Sequence, residues 1–224
     1  MKTMALRIRR RWWRRRGGIE PYATLLATDL PLPRTRFSAL ELVCLDMETT
    51  GLDAASAEIL SIGWIMIREN RVEVATAAHS LVRPEGVVGD SATVHGITDT
   101  EVAAGLPVET VVSRVLSTLP GRVLVVHHAG LDKAILDREC MRVYGAPLPV
   151  PVIDTLALEH RWRRRAHHLS ADGSLRLADL RGAYKLPWYS GHDALADALA
   201  TAELLLAMVA ARGGAEQTRL RDLL

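Results

Sequence analysis

The chain has 224 residues, a formal net charge of +2 and two cysteines. This length suits one domain, and the two cysteines, Cys44 and Cys140, provide neither a disulfide framework nor a CxxC zinc motif. The longest apolar runs fall well short of the roughly 20 residues that cross a bilayer. We therefore expect a soluble, cytoplasmic protein with both cysteines in its core.

The N-terminal arm, residues 1–18, carries eight Lys and Arg residues and no acid, whereas the rest of the chain has 20 basic and 26 acidic residues. The body is therefore acidic, and its bulk charge does not favour a polyanion. The arm either tethers the protein to nucleic acid or anionic lipid, with Trp12 and Trp13 available to stack or insert, or is a dispensable extension. We expect residues 1–38 to form a partly disordered arm and linker.

The next part of the chain predicts a sheet. Residues 19–28 favour a short helix, and the proline-containing segment 29–37 favours a linker. Three runs of strand length then follow in succession and predict an antiparallel meander: "LVCLDM", "ILSIGWIMI" and "RVEVATAAHSLV". "RVLVVHH" predicts a fourth strand, and "VPVIDTLALEHRW" begins as a strand and continues as a helix.

Helical patterns surround these later strands. Thr98 is placed to cap a short helix, "PVETVVSRVLSTL" has helical periodicity, and Gly145 ends the helix of "LDKAILDRECMRVYG". The C-terminal third is helical with a strong apolar face. The succession predicts an α/β fold, with a mixed sheet covered by helices, in a domain of residues 39–214. The tail, residues 215–224, either ends the last helix or docks on another protein.

Four carboxylates lie at positions where the surrounding pattern is apolar and an acid is unusual. Asp46 and Glu48 end the first strand on one face, so their charges repel. Asp132 follows the fourth strand, and Asp197 interrupts the apolar pattern of "DALADALATAELLL". Each alone could be an exposed residue or a cap, but together they are placed to converge near the strand ends. Such a cluster suits Mg²⁺ or Mn²⁺, and two such ions can support phosphodiester hydrolysis.

His192 lies five residues before Asp197. Five helical steps would turn it about 140° away, so the two meet only if His192 lies on the loop before the helix, with Asp193 as N-cap. A histidine in that place can act as a general base near neutral pH. The alternative is a surface histidine beside a capping aspartate.

Three segments together resemble the motifs of the DEDDh, or DnaQ-like, 3′-to-5′ exonucleases: "DMETTGL", "VVHHAGLD" and "HDALADA". The family patterns are D-x-E-T-T-G, H-N-A-x-F-D and H-x-A-x-x-D-A. The resemblance spans about residues 41–212 and implies a ribonuclease H-like fold with a mixed five-stranded sheet. It also implies two divalent cations, Mg²⁺ or Mn²⁺, a general base at His192, and four metal ligands, Asp46, Glu48, Asp132 and Asp197.

The same resemblance implies a binding site for the 3′-terminal nucleotide, in which Leu52 provides an apolar surface against a base. His128 stands where the family commonly has Asn, and Leu131 where an aromatic residue is common. His95, in "VHGIT", is a weaker candidate, with a plain loop histidine as the alternative. The implied substrate-binding residues are Thr49, Thr50, Gly51, Leu52, His95 and His128.

Two lesser features bear on substrate binding. "HRWRRRAHH", residues 160–168, either guides phosphates or is a solvated helix end, and Asp154 is expected to cap a helix. Aromatic residues are scarce, with one Phe in the chain. We therefore expect base stacking to contribute little.

The resemblance implies a metal-dependent 3′-to-5′ exonuclease that releases nucleoside 5′-monophosphates from single-stranded or frayed ends of DNA or RNA, with DNA favoured. The alternative is a proofreading subunit or nucleic-acid adaptor that acts mainly through a polymerase or another replication or repair protein. Oligomeric state stays open.

Overall fold

A mixed sheet forms the centre of the protein. The computed structural model describes residues 2–15, 18–86, 96–165 and 174–224. Within these residues, five strands form one sheet in the order β3-β2-β1-β4-β5. The first three pair antiparallel as a meander, and β4 and β5 add in parallel, which confirms the predicted α/β class. The strands are β1 (Leu42–Thr49), β2 (Ile59–Arg68), β3 (Arg71–Leu81), β4 (Val123–Val126) and β5 (Val152–Asp154).

Helices cover both faces of the sheet. Thr98 caps a short helix and Gly145 ends its own helix with φ of 68°, both as predicted, and Glu101 completes a capping box with Thr98. Within the described ranges, no helix has the length and apolarity that a membrane crossing needs. The helices are α1 (Lys2–Arg15), α2 (Tyr22–Ala27), α3 (Asp99–Ala103), α4 (Val108–Thr118), α5 (Asp132–Tyr144), α6 (Thr155–Arg165), α7 (Leu177–Ala183), α8 (Ala194–Ala210) and α9 (Leu220–Leu223).

Strand β1 carries two rows of side chains that belong to two cores. Val43 and Leu45 are buried with residues of α4 and α5 on one face of the sheet. Cys44 is buried with residues of α6, α7 and α8 on the other face. Since side chains alternate along a strand, Asp46 and Glu48 continue the row that faces α8.

The backbone of α8 lies directly on Gly63 of β2. Gly63 is the partner of Asp46 in the antiparallel register. A Cβ atom at Gly63 would collide with backbone atoms of Ala194 and Leu195, in the first turn of α8. The missing side chain therefore lets α8 begin next to the carboxylates of β1.

Within the basic arm, residues Lys2–Arg15 form helix α1, and the predicted partial disorder of residues 1–38 stays a prediction. Arg10 is buried, and its guanidinium donates to the carbonyl oxygens of Pro149 (2.8 Å) and Thr28 (2.6 Å). It also donates to the carbonyls of Leu25 and Leu26 at the end of α2. These bonds satisfy carbonyls that a helix end leaves unpaired. The arm's role as a tether stays a prediction.

The C-terminal tail packs on its own chain. Leu220 and Leu223 of α9 are buried in the core beside α8. The amide of Phe37 donates to the carbonyl of Thr218 at 2.8 Å, and a bridge joins the two segments nearby. The predicted boundaries at 38/39 and 214/215 therefore separate segments that lie against each other.

The contact at Gly63 gives a test of how the site is assembled. We expect Gly63→Ala to push α8 away and to destabilise the protein by about 1–3 kcal/mol, because the added methyl meets backbone rather than a movable side chain. Thermal unfolding should show a Tm lowered by about 2–4 °C per kcal/mol.

Gly182→Ala is the control, since a Cβ at this α7 residue meets no atom within 4 Å. Alanine there should leave Tm unchanged or raise it. An equal Tm for Gly63→Ala and the unmodified chain would contradict the close approach.

Candidate active site

Three carboxylates converge where β1 ends and α8 begins. One oxygen from each of Asp46, Glu48 and Asp197 lies within 4.8 Å of the others. Glu48 is 8% exposed, and Asp46 and Asp197 are half-buried. The strand supplies the first two on one face, and Asp197 comes from the first turn of α8 that lies on Gly63. The structure thus brings together residues that lie far apart in the sequence.

Asp132 lies beside this group. It is the first residue of α5, just after β4, and its side chain is 5% exposed. Its charge acts on Asp46, and that of Glu48 acts on Asp132. It is not among the three whose oxygens share the 4.8 Å set. Its helix, α5, packs in the core on the opposite face of the sheet from α8.

Burial and mutual repulsion raise the pKa values of these acids. Burial and then the charges of Asp132, Asp197 and Glu48 raise the pKa of Asp46 well above its ordinary value. Burial raises the pKa of Glu48 to about 7, with Asp197 adding to the effect, and raises that of Asp132 to about 8. Without a cation to balance their charges, these carboxyl groups therefore hold their protons to higher pH than isolated acids do.

The donor set fits a hard divalent cation. It consists of carboxylate oxygens, which Mg²⁺ and Mn²⁺ prefer. None of the ion pairs formed by the described residues includes Asp46, Glu48, Asp132 or Asp197. A bound cation would provide the charge that the surrounding protein does not.

His192 lies on the loop before α8, as predicted. Its φ is 70°, and its backbone N–H donates to Oδ2 of Asp197 at 2.8 Å. Asp193 caps the helix by accepting from the amide of Ala196 at 2.8 Å. A Cβ at Gly191 would lie 3.8 Å from both carboxylate oxygens of Asp197. Cap and loop thus fix the Asp197 carboxylate while the His192 side chain stays exposed on the lip of the site.

The predicted terminal-nucleotide segment forms a braced loop with one protruding side chain. The hydroxyl of Thr49 donates to the carbonyl of Gly51 at 2.7 Å, and Thr50 Oγ1 accepts from the amide of Glu58 at 2.9 Å. Leu52 is 88% exposed. The two threonines therefore shape the loop, and Leu52 projects from it.

A groove of about 760 Å³ includes Asp197 of the acid cluster in its lining. Leu52, His128, His192 and Asp197 line it. His128 is exposed, with φ of 107°, a conformation uncommon for residues other than glycine. His95 lies outside the described residues, so its predicted role stays untested.

Two neighbouring residues organise the loop after β4. Asp154 accepts from the amides of Ala129 (2.9 Å) and Ala157 (3.0 Å), which confirms the predicted cap and adds a link to the second motif. His127, which the sequence reading passed over, contacts Thr155 Oγ1 (2.7 Å) and the carbonyl of Leu175 (2.9 Å). Burial lowers the pKa of His127. Both residues support the loop that carries His128.

Other features went unnoticed in the sequence or lie partly outside the described ranges. Arg181, Trp188 and Tyr189 also line the groove. The signal for them was "PWYSG", a short aromatic segment just before His192. Of the basic cluster, residues 160–165 end α6, and 166–168 lie outside the described residues.

Comparison with known sequences decides the family. The sequence model of the exonuclease family, RNase_T, matches residues 43–205. The chain belongs to this family. The match confirms the DnaQ-like resemblance that the three motifs carry, and it covers Asp46, Glu48, Asp132, His192 and Asp197.

The names of two relatives include DNA polymerase III. A DNA polymerase III PolC-type protein of Thermotoga petrophila is 30% identical over 192 residues, which cover 85% of this chain and 13% of that protein. A DNA polymerase III subunit epsilon-like protein of Rhodobacter capsulatus is 32% identical over 182 residues, 80% of this chain and 25% of that protein. The chain thus spans a quarter or less of these curated relatives.

Solved structures show the same fold. E. coli Exonuclease I in complex with a dA16 oligonucleotide matches with a TM-score of 0.66 at 20% identity, covering 82% of this chain and 42% of that one. Exonuclease I from Methylocaldum szegediense matches with a TM-score of 0.66 at 20% identity, covering 78% and 41%. The ribonuclease H-like fold predicted from the motifs is confirmed.

The raised pKa values predict how stability depends on pH and metal. A carboxyl with a raised pKa binds its proton more tightly in the folded state, so its contribution to the free energy of unfolding falls as pH rises from its unfolded value, about 4, through its folded value. With EDTA, we expect Tm to fall between about pH 4 and about pH 8, and to fall less in Asp46→Asn. Near pH 8, Mn²⁺ should restore Tm in the unmodified chain but not in Asp46→Asn, because bound ligand stabilises the folded state.

Asp29→Asn is the control, because Asp29 is an exposed acid outside the cluster. It should respond to EDTA and Mn²⁺ as the unmodified chain does. If Mn²⁺ leaves the Tm of the unmodified chain unchanged at the upper pH, the acids do not form a metal site.

Proposed function

We propose that the protein is a 3′-to-5′ exonuclease that removes nucleoside 5′-monophosphates from single-stranded or frayed nucleic-acid ends, with DNA favoured. One observation carries the proposal: three carboxylates lie within 4.8 Å of one another at the end of a groove, with His192 on its lip. Family membership supports the nuclease class. Direction, substrate and mechanism are our inference.

Asp46, Glu48, Asp132 and Asp197 are the residues that would hold two divalent cations, Mg²⁺ or Mn²⁺. When bound, such cations lower the pKa of an attacking water and stabilise the leaving oxygen of a phosphodiester. The buried carboxylates contribute a fixed arrangement of negative oxygen ligands, prepared by the close packing of α8 on β2. An acidic body can thereby act on a polyanion without a basic active site.

His192 would act as the general base. Its ring lies exposed beside the acids, and its backbone is tied to Asp197, so the loop cannot move far without breaking the 2.8 Å bond. In this role the neutral imidazole accepts the proton of the attacking water and later releases it to solvent. Leu52 would contact the last base, and the loop of Thr49, Thr50 and Gly51 would carry it. His128 would contact the strand from the groove wall.

The nuclease assignment is tested with a 5′-labelled single-stranded oligonucleotide. With Mg²⁺ or Mn²⁺ we expect a ladder of shortened products, faster on DNA than on RNA, and no digestion with EDTA or Ca²⁺. Asp46→Ala should reduce digestion to background. His192→Ala should lower kcat about 10²–10⁴-fold, the usual contribution of general acid–base catalysis, and keep the Mn²⁺-dependent rise in Tm.

The same gels separate the possible failures. A labelled mononucleotide released first would show digestion from the 5′ end and overturn the direction. Digestion by Asp46→Ala equal to that by Asp29→Ala would overturn the site. A His192→Ala variant with full kcat would remove His192 from the mechanism.

A second candidate is a proofreading role held through a polymerase, and the names of the two relatives favour it. In that case, we expect a tagged chain purified from its own cells to carry a DNA polymerase. The complex should excise a mismatched primer end faster than the isolated chain does. Purification without a polymerase, together with full activity of the isolated chain, would exclude this role.

A further inference from the structure

One large aromatic side chain in the groove has no part in the site described so far. Trp188 is 78% exposed, and it lines the groove that contains Leu52, His192 and Asp197. Leu52 is itself 88% exposed, so two large apolar side chains reach solvent in one groove next to the acids. Single exposed apolar residues are ordinary, but two that share a functional groove indicate a binding surface.

The residues that flank Trp188 are fixed to the body of the protein. Arg181 is 3% exposed, and its guanidinium donates to the carbonyls of Pro187 (2.9 Å) and Ala200 (2.8 Å) and pairs with Glu203 (2.8 Å). The bond to Pro187 holds the residue before Trp188, and the bonds to Ala200 and Glu203 join Arg181 to α8. Because Arg181 is buried, these bonds are little weakened by water.

The residue after Trp188 is fixed through the same arginine. The hydroxyl of Tyr189 donates to Glu203 at 3.0 Å, and the Arg181 guanidinium lies 4.3 Å from the centre of the Tyr189 ring. That cation–π contact covers the tyrosine face. Trp188 is thus the exposed aromatic residue of a segment anchored on both sides, so little backbone conformational entropy remains to be lost when a ligand binds its ring.

The chemistry of the site selects its ligand. An indole presents a flat, polarisable face without charge, which suits the π face of a nucleobase and does not suit a phosphate. Asp197 of the carboxylate cluster and Trp188 line the same groove, so a strand that lies in the groove with its end at Asp197 would be within reach of the indole. All four bases have such a face, so the contact tolerates any sequence.

We propose that Trp188 forms a nucleobase-stacking subsite, which receives a base upstream of the nucleotide that is removed. This inference rests on the proposed function and assigns a further positioning residue to it. It differs from the expectation that stacking contributes little, because one of the few aromatic residues is exposed in the groove.

The test removes the ring and the base in turn. We would measure KM and kcat of the unmodified chain, Trp188→Ala and Trp188→Phe on a single-stranded DNA oligonucleotide and on copies with one abasic site at successive positions from the 3′ end. Trp188→Ala should raise KM about 5- to 100-fold, the range expected for one base–aromatic stack, with kcat little changed. Trp188→Phe should recover much of the loss.

The abasic copies identify the base that stacks. At one position, loss of the base should raise KM of the unmodified chain but add little to the effect of Trp188→Ala, because the two changes remove the same contact. Val74→Ala is the control, since Val74 is 72% exposed on β3 and lies outside the groove lining. An unchanged KM in Trp188→Ala, or additive effects at every position, would overturn the proposal.

Binding without catalysis separates this inference from the proposed function. The chain has five tryptophans, so we expect the oligonucleotide to quench part of the fluorescence in EDTA, and Trp188→Phe to lose that part. Quenching in a protein that digests nothing would leave the subsite standing and the exonuclease proposal refuted. Digestion with no Trp188-dependent quenching and an unchanged KM would refute the subsite alone. Fluorescence that responds to a protein partner but not to the oligonucleotide would assign Trp188 to a protein interface and overturn the subsite.

Discussion

The site depends on the contact between the first turn of α8 and the bare backbone of β2 at Gly63. Asp46 lies opposite Gly63 in the register, and Asp197 lies in the turn that rests on it. Any side chain at this position would separate the strand from the helix by the width of at least a methyl group. The spacing of the carboxylates is therefore fixed by backbone packing, which deforms less than side chains do.

That packing creates an electrostatic cost. The cluster holds several acids in a partly dehydrated place, and burial with mutual repulsion raises the pKa values of Asp46, Glu48 and Asp132. The free energy from burial of apolar side chains on both faces of β1 offsets this electrostatic cost. The acids are thus ordered before a cation binds, which reduces the reorganisation that binding would otherwise require.

Buried arginines fix the two segments that a local reading of the sequence would leave loose. Arg181 and Glu203 anchor the segment before α8, and Arg10 fixes α1 and α2 to Pro149. In both cases a guanidinium with several donors satisfies carbonyl oxygens from distant parts of the chain. In the sequence, Arg10 is one of a run of arginines and Arg181 stands singly within a helical pattern. Neither setting shows which distant carbonyl oxygens the guanidinium binds.

The sequence by itself determined what is local: the strand alternation that puts Asp46 and Glu48 on one face, the cap at Asp193, and the family through the order of its motifs. These features depend on neighbours a few residues apart, so periodicity and capping chemistry reveal them. Only the tertiary structure decided that Asp132 lies outside the set of three acids whose oxygens are within 4.8 Å of one another, and that Trp188 lines the groove. Those distances depend on helices packing across both faces of the sheet, which no spacing along the chain specifies.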